Sequence, residues 1–169
     1  VDYVFPPLYT EDLLRDYVAN ARALREALGA QLVIEPIPTY LHLDLPQMGE
    51  AEFVRRFYEA SGCGMLLDVA HAWLSARYAG VSPREFLATL PLERVVELHV
   101  AGTEEDLELD GPWIGATVPG EEILDLSLYA AERAPGLRAI TFDAFSTALD
   151  AETLLAGVRA IRDHFGLPA

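Results

Sequence analysis

The chain has 169 residues, 51% hydrophobic and 23% charged, which is enough apolar material for one sizeable core and too little chain for several. Its net charge is −15 and all 12 basic residues are arginine; such a field repels nucleic-acid phosphates and anionic lipid and excludes both as expected partners unless a metal reverses the local sign. No signal peptide and no long uncharged apolar stretch is read in it, and the single cysteine, Cys63, cannot form an intramolecular disulfide, in keeping with a reducing cytoplasm.

Thr10 is placed to cap a helix whose Leu13, Leu14, Tyr17, Val18, Ala21, Leu24 and Leu28 share one side, and Gly29 stops it. The strand Gln31 to Glu35 follows, after which Pro36 and Pro38 force an extended loop running to His42. Glu50 to Ala60 reads as a helix ended by Gly62, and Met65 to Asp68 as an apolar strand covered on both faces. Two short helices come next, one from about His71 to Ala79 and one opened by Ser82-Pro83-Arg84-Glu85, where a capping box and proline at the first helical position coincide. Val95 to Val100 is a strand, and Gly102 to Gly120 reads as a long loop of the kind that carries function. A helix over Glu121 to Arg133, a strand over Arg138 to Phe142 and a helix over Asp150 to Phe165 complete one domain spanning residues 1–169.

Three of these strands end in metal-type residues. Leu66-Leu67 delivers Asp68 with His71 three residues on, Val33-Ile34 delivers Glu35, and Glu97-Leu98 delivers His99. Side chains converge at strand ends in α/β proteins, and carboxylates mixed with imidazole suit zinc, iron or manganese more than calcium or magnesium. The competing reading is that Asp68 only caps the following helix and His71 is a surface residue of its first turn. Against it, burying even one such carboxylate without a cation or hydrogen-bond donors costs several kcal/mol, on the order of the whole margin of stability. Cys63 reads as a small core residue rather than a nucleophile, since no basic group lies beside it in sequence.

A helix followed by four strand-helix units implies an α/β fold with a parallel sheet and right-handed crossovers. No glycine-rich phosphate loop follows any strand, which favours a β/α barrel of the TIM type over a doubly wound sheet. A full barrel takes about 250 residues, so 169 are too few for one.

Three segments carry a resemblance: Ile34-Glu35-Pro36-Ile37-Pro38-Thr39-Tyr40, Gly62-Cys63-Gly64-Met65-Leu66-Leu67-Asp68-Val69 and Val96-Glu97-Leu98-His99-Val100-Ala101-Gly102. In this order they resemble consecutive motifs of the multinuclear non-haem iron-dependent oxidative enzymes, which include the methanobactin-biosynthesis oxidase and belong to the xylose-isomerase-like TIM barrels. The resemblance implies that the chain forms the C-terminal half of such a barrel and that its metal is iron. It further implies a peptide substrate held by a partner protein. It makes Glu35 a bridging carboxylate, Asp68 and His71 an aspartate-histidine pair, His99 the histidine of the next strand, and Asp110 the first member of an Asp-x-His pair. The chain departs from that pattern where Pro112 replaces the pair's histidine, Thr103 stands where a second histidine often follows Ala-Gly, and Phe142-Asp143 replaces a late glutamate. Asp143 is then the substitute ligand, with a shorter reach.

Two further histidine ligands of the family would lie on strands preceding Val1; Val1 in place of methionine and the start in mid-pattern predict an excised or processed piece. Three functions fit these residues: a metal-dependent oxidative enzyme, a degenerate barrel relative that binds or scaffolds without catalysis, and a metal-dependent sugar isomerase, epimerase or abasic-site endonuclease. The acidic charge argues against the nuclease. Four parallel strands leave unpaired edges, which predicts a homo-oligomer or completion by a missing N-terminal half.

Overall fold

Thr10 acts as its position predicts. Its Oγ1 accepts from the Leu13 N–H at 3.3 Å and opens helix α1, Glu11–Leu28, which Gly29 closes at φ +61°. The structure is a computed structural model that describes residues 5, 7–40, 47–106, 111–115, 117–144 and 149–168. Asp110 and the loop residues 41–46 lie outside the described residues.

The other expected elements follow the predicted order, most with shifted ends, and two further strands join them. Strand β1 is Val33–Ile34, helix α2 Glu50–Ser61, strand β2 Gly64–Asp68, helix α3 Val69–Ala79 and helix α4 Pro83–Thr89. A 3₁₀ turn, Leu92–Arg94, leads into strand β3, Val95–Val100. Strands β4, Gly102–Asp106, and β5, Gly111–Gly115, precede helix α5, Glu121–Ala131, strand β6, Ala139–Phe142, and helix α6, Ala151–His164. Strand β1 is shorter than the Gln31 to Glu35 expected. Pro36 and Pro38 lack the N–H that would extend the ladder, and Glu35 stands one residue past the pairing. Helix α3 begins two residues earlier than expected, directly on Asp68.

The segment Gly102 to Gly120, expected as a loop, contains an antiparallel hairpin in which Thr103 faces Ile114 and Glu104 faces Trp113. Its strands, rich in glycine, proline and acidic residues, lack the apolar alternation that marks a strand in the sequence. Gly102 is required there because a Cβ would overlap the Thr117 backbone, and β5 packs on α3.

The main sheet has the order β1-β2-β3-β6, every pair parallel. Sequential order with crossovers of one hand places the helices on a single side, the winding of a β/α barrel, whereas a doubly wound sheet reverses direction at a switch point. The helices form one continuous layer, α1 on α2, α3 on α4 and α5, and α5 on α6, with α3 and α5 against β3. Met65, Leu67, Leu98 and Val100 lie beneath it at 0–2% exposure. The opposite face carries Leu66, Asp68, Glu97, His99, Ala139 and Thr141 in register, and of these Ala139 and Thr141 are exposed. The fold is thus a partial β/α barrel: one face buried as a barrel's outer face is, the other open where a barrel's interior would be. Among the described residues no helix is long and apolar enough to cross a membrane.

Candidate metal centre

Asp68 is both the last residue of β2 and the N-cap of α3, so its place at a strand end and its capping role hold together. Its Oδ1 accepts from the His71 N–H at 3.0 Å, which leaves Oδ2 for the crevice, 3.7 Å from His71 Nε2. The side chain is 1% exposed. Burial pushes its pKa up; the nearby His71 ring and the capping N–H pull the other way.

Glu35 approaches from the neighbouring strand. The Tyr58 hydroxyl donates to Ile34 O at 2.6 Å and fixes the backbone just before it. Glu35 Oε1 lies 3.2 Å from His71 Nδ1, and partial burial raises the pKa of this carboxyl as well, with the charges of Asp68 and Asp143 adding to the rise and His71 and His99 opposing it. His71 therefore sits between two carboxylates, its Nδ1 also 3.4 Å from Pro36 O.

His99 stands level with Asp68 on one side and Thr141 on the other. This register depends on an irregularity: Met65 pairs with Val95 but Leu66 pairs with Glu97, so Val96 is an extra residue on β3. Bulges of this kind re-aim side chains and recur beside functional sites. Two carboxylates flank the ring, Glu97 Oε1 at 3.3 Å from Nε2 and Asp143 Oδ2 at 3.4 Å from Nδ1. Asp143 is held by its own N–H, which donates to Val100 O at 3.0 Å.

Glu35, Asp68 and His99 each bring one ligand atom to within 4.8 Å of the others. Three donors of this chemistry at that spacing fit a divalent transition metal. A second observation agrees: His99 Nδ1 is buried and makes no hydrogen bond among the described residues, with Asp143 Oδ2 3.4 Å away, which leaves it open to a further partner. With Asp143 and Glu97 close by, the crevice concentrates four carboxylates around two imidazoles, and a cation relieves their mutual repulsion.

Of the residues expected at the site, Glu35, Asp68, His71, His99 and Asp143 are brought together. His71 and Asp143 lie at the edge of the three-residue group rather than within it, and Asp110 falls outside the described residues. Asp143 comes onto the site face because β6 alternates, Thr141 toward the crevice and Phe142 toward Gly157 of α6, where a Cβ would meet the Phe142 ring. Sequence reasoning missed Glu97 and Thr141. The period of two counted back from His99 could have found the first. An apolar cavity of about 170 Å³, lined by Tyr9, Tyr17, Ile34, Phe53 and Tyr58 among others, opens beside Glu35.

Comparison with known proteins places these residues in context. Residues 2–140 match the family model described as RiPP precursor modification enzyme MbnB/TglH/ChrH. A UPF0276 protein of Anaeromyxobacter sp. (strain Fw109-5) is 37% identical over 99 residues, 59% of this chain and 35% of that protein. A UPF0276 protein of Bordetella pertussis is 32% identical over 108 residues, 64% of this chain and 37% of its own length, and one of Caulobacter vibrioides is 31% identical over 106 residues, 63% and 38%. The chain thus matches little more than a third of the length of these curated relatives.

Proposed function

The chain belongs to the RiPP precursor modification enzyme MbnB/TglH/ChrH family, and from that membership we propose that it supplies the C-terminal β/α units and part of the metal centre of an iron-dependent, cytoplasmic oxidative enzyme acting on a ribosomally made peptide. The observation that carries this reading is the convergence of Glu35, Asp68 and His99 at the strand ends. Three protein ligands with the remaining positions open are what a catalytic metal needs. Bound there, iron would supply the redox and Lewis-acid chemistry that side chains lack.

The surrounding residues have separate tasks. Asp68, fixed by its cap, gives the site a rigid carboxylate on the buried side. Glu35, its side chain 34% exposed, is the carboxylate of the group that stays open to solvent. His71 lies between these two carboxylates and orients them toward the crevice. Zinc and manganese suit the same donors, and iron is preferred on the strength of the resemblance.

A second reading, a degenerate relative that binds without catalysis, is favoured by one observation: Pro112 offers no donor where the resemblance expects a histidine. Anaerobic titration with iron(II) separates the two. The enzyme reading expects at least one iron per chain and a loss of that binding in Glu35→Gln. Failure of the wild-type chain to bind iron at millimolar concentration leaves the degenerate reading.

We also propose that further β/α units cover the open face, supplied by a second copy or by a segment such as the longer relatives have room for. Edge strands β1 and β6 are each paired on one side only within the described sheet, and unpaired ladder groups favour association. The charge of −15 opposes self-association at low salt. Sedimentation of the isolated 169-residue chain is expected to show a dimer that strengthens as salt screens the repulsion. A monomer that binds no hydrophobic dye at any salt would overturn this.

A further inference from the structure

We propose that Glu97 is the positioning residue of this centre: it accepts the Nε2–H of His99, sets the imidazole in that tautomer, and leaves Nδ1 as the atom offered to the metal. The inference rests on the reading of Glu35, Asp68 and His99 as a metal centre. A neutral imidazole has one N–H and one lone pair, so a ring between two carboxylates must give its proton to one of them. Three observations make that one Glu97.

Glu97 precedes His99 by two residues on β3 and shares its face, one step farther from the strand end where Glu35 and Asp68 converge. Its Oε1 is 3.3 Å from His99 Nε2. The Thr141 hydroxyl donates to the same oxygen at 3.0 Å, and Thr141 is level with His99 on β6, so the carboxylate is anchored from the opposite strand. On the other side, His99 Nδ1 is buried and has no hydrogen-bond partner among the described residues, although Asp143 Oδ2 is 3.4 Å away. Nε2 thus faces an acceptor anchored within the sheet, and Nδ1 faces Asp143, which follows the last paired residue of β6 at the strand end. A chain running from Thr141 through Glu97 to His99 holds the ring as carboxylates commonly hold metal-binding histidines, fixing tautomer and orientation.

The test is long-range ¹H–¹⁵N correlation on the chain with ¹⁵N-labelled histidine, the His99 signals assigned by their loss in His99→Gln, with zinc as a diamagnetic probe. Metal-free wild type at neutral pH is expected to show His99 as the Nε2–H tautomer, and zinc is expected to shift Nδ1 while Nε2 keeps its proton. Glu97→Ala is expected to give a mixed tautomer and about 10- to 100-fold weaker zinc binding. Glu97→Gln, which keeps an acceptor oxygen, should restore the tautomer and part of the affinity, and it serves as the reading if Glu97→Ala does not fold. A proton on Nδ1 in the metal-free wild type, or zinc on Nε2, overturns the role of Glu97 and leaves the metal centre standing. Absence of any zinc response overturns the metal centre, while the metal-free tautomer still decides what Glu97 does.

Discussion

Asp68→Asn is expected to abolish the rise in melting temperature that iron(II) or zinc gives the wild-type chain, without lowering the stability of the metal-free fold. At free metal about 100 times Kd, mass action adds about 2.7 kcal/mol. For a domain of this size that raises Tm by roughly 5–11 °C. Asparagine caps a helix as well as aspartate does, so the bond from the His71 N–H to position 68 survives in this variant while the anionic ligand is lost. Asp68→Ala loses both: no metal shift, and about 1 kcal/mol from the missing cap, offset in part because a desolvated carboxylate is no longer buried. Differential scanning fluorimetry on the three proteins, with and without metal, separates the two tasks of one side chain. A full metal shift retained by Asp68→Asn would remove Asp68 from the ligand set.

The second large effect is in the dependence of stability on pH, and metal reverses its sign. Burial raises the folded-state pKa of both Glu35 and Asp68 above the ordinary carboxylate range, so between the unfolded and folded values the native chain binds more protons than the unfolded one. Under that condition stability falls as pH rises. The cost is absent below the unfolded pKa of about 4 and complete above the raised folded value. Other carboxyls contribute the opposite slope, since Arg56 holds Glu11 low and the Thr153 N–H holds Asp150 low. The difference between wild type and Asp68→Asn cancels those. Urea unfolding in a chelator from pH 4 to pH 8 should show wild type losing stability relative to Asp68→Asn as pH rises through the window. With saturating metal the trend inverts, because ligation needs the deprotonated carboxylates and binding releases their protons. Parallel curves for the two proteins in chelator would show that Asp68 is not desolvated as its burial implies.

Much of this architecture is legible in the sequence because it is local. Thr10 and Gly29 bound α1, Gly62 ends α2, and Pro83 follows the N-cap of α4; each acts through the dihedral preferences and hydrogen-bonding capacity of one residue and its near neighbours. The apolar runs ending in Glu35, Asp68 and His99 are likewise readable, since a short apolar stretch that stops at a polar residue marks a strand end. The hairpin of β4 and β5 was not, because its two strands lack the apolar alternation that signals one.

The site itself is divided between the two levels. Residue types at strand ends are sequence facts, and they identify Glu35, Asp68, His71 and His99 as chemistry-bearing, with Asp143 added by the family resemblance. Which of them meet, and by which atoms, is set by register between residues 30 to 42 positions apart in the chain, and register is decided where helices and sheet pack together. The extra residue at Val96 brings His99 level with Asp68, and the pairing of β3 with β6 brings Thr141 to Glu97. Neither leaves a mark in the local pattern, because a one-residue slip changes which face every later side chain occupies while leaving the sequence of apolar and polar residues unchanged. The sequence determined the parallel strands and the donors at their ends; only the tertiary structure, through stagger and bulge, decided which donors converge.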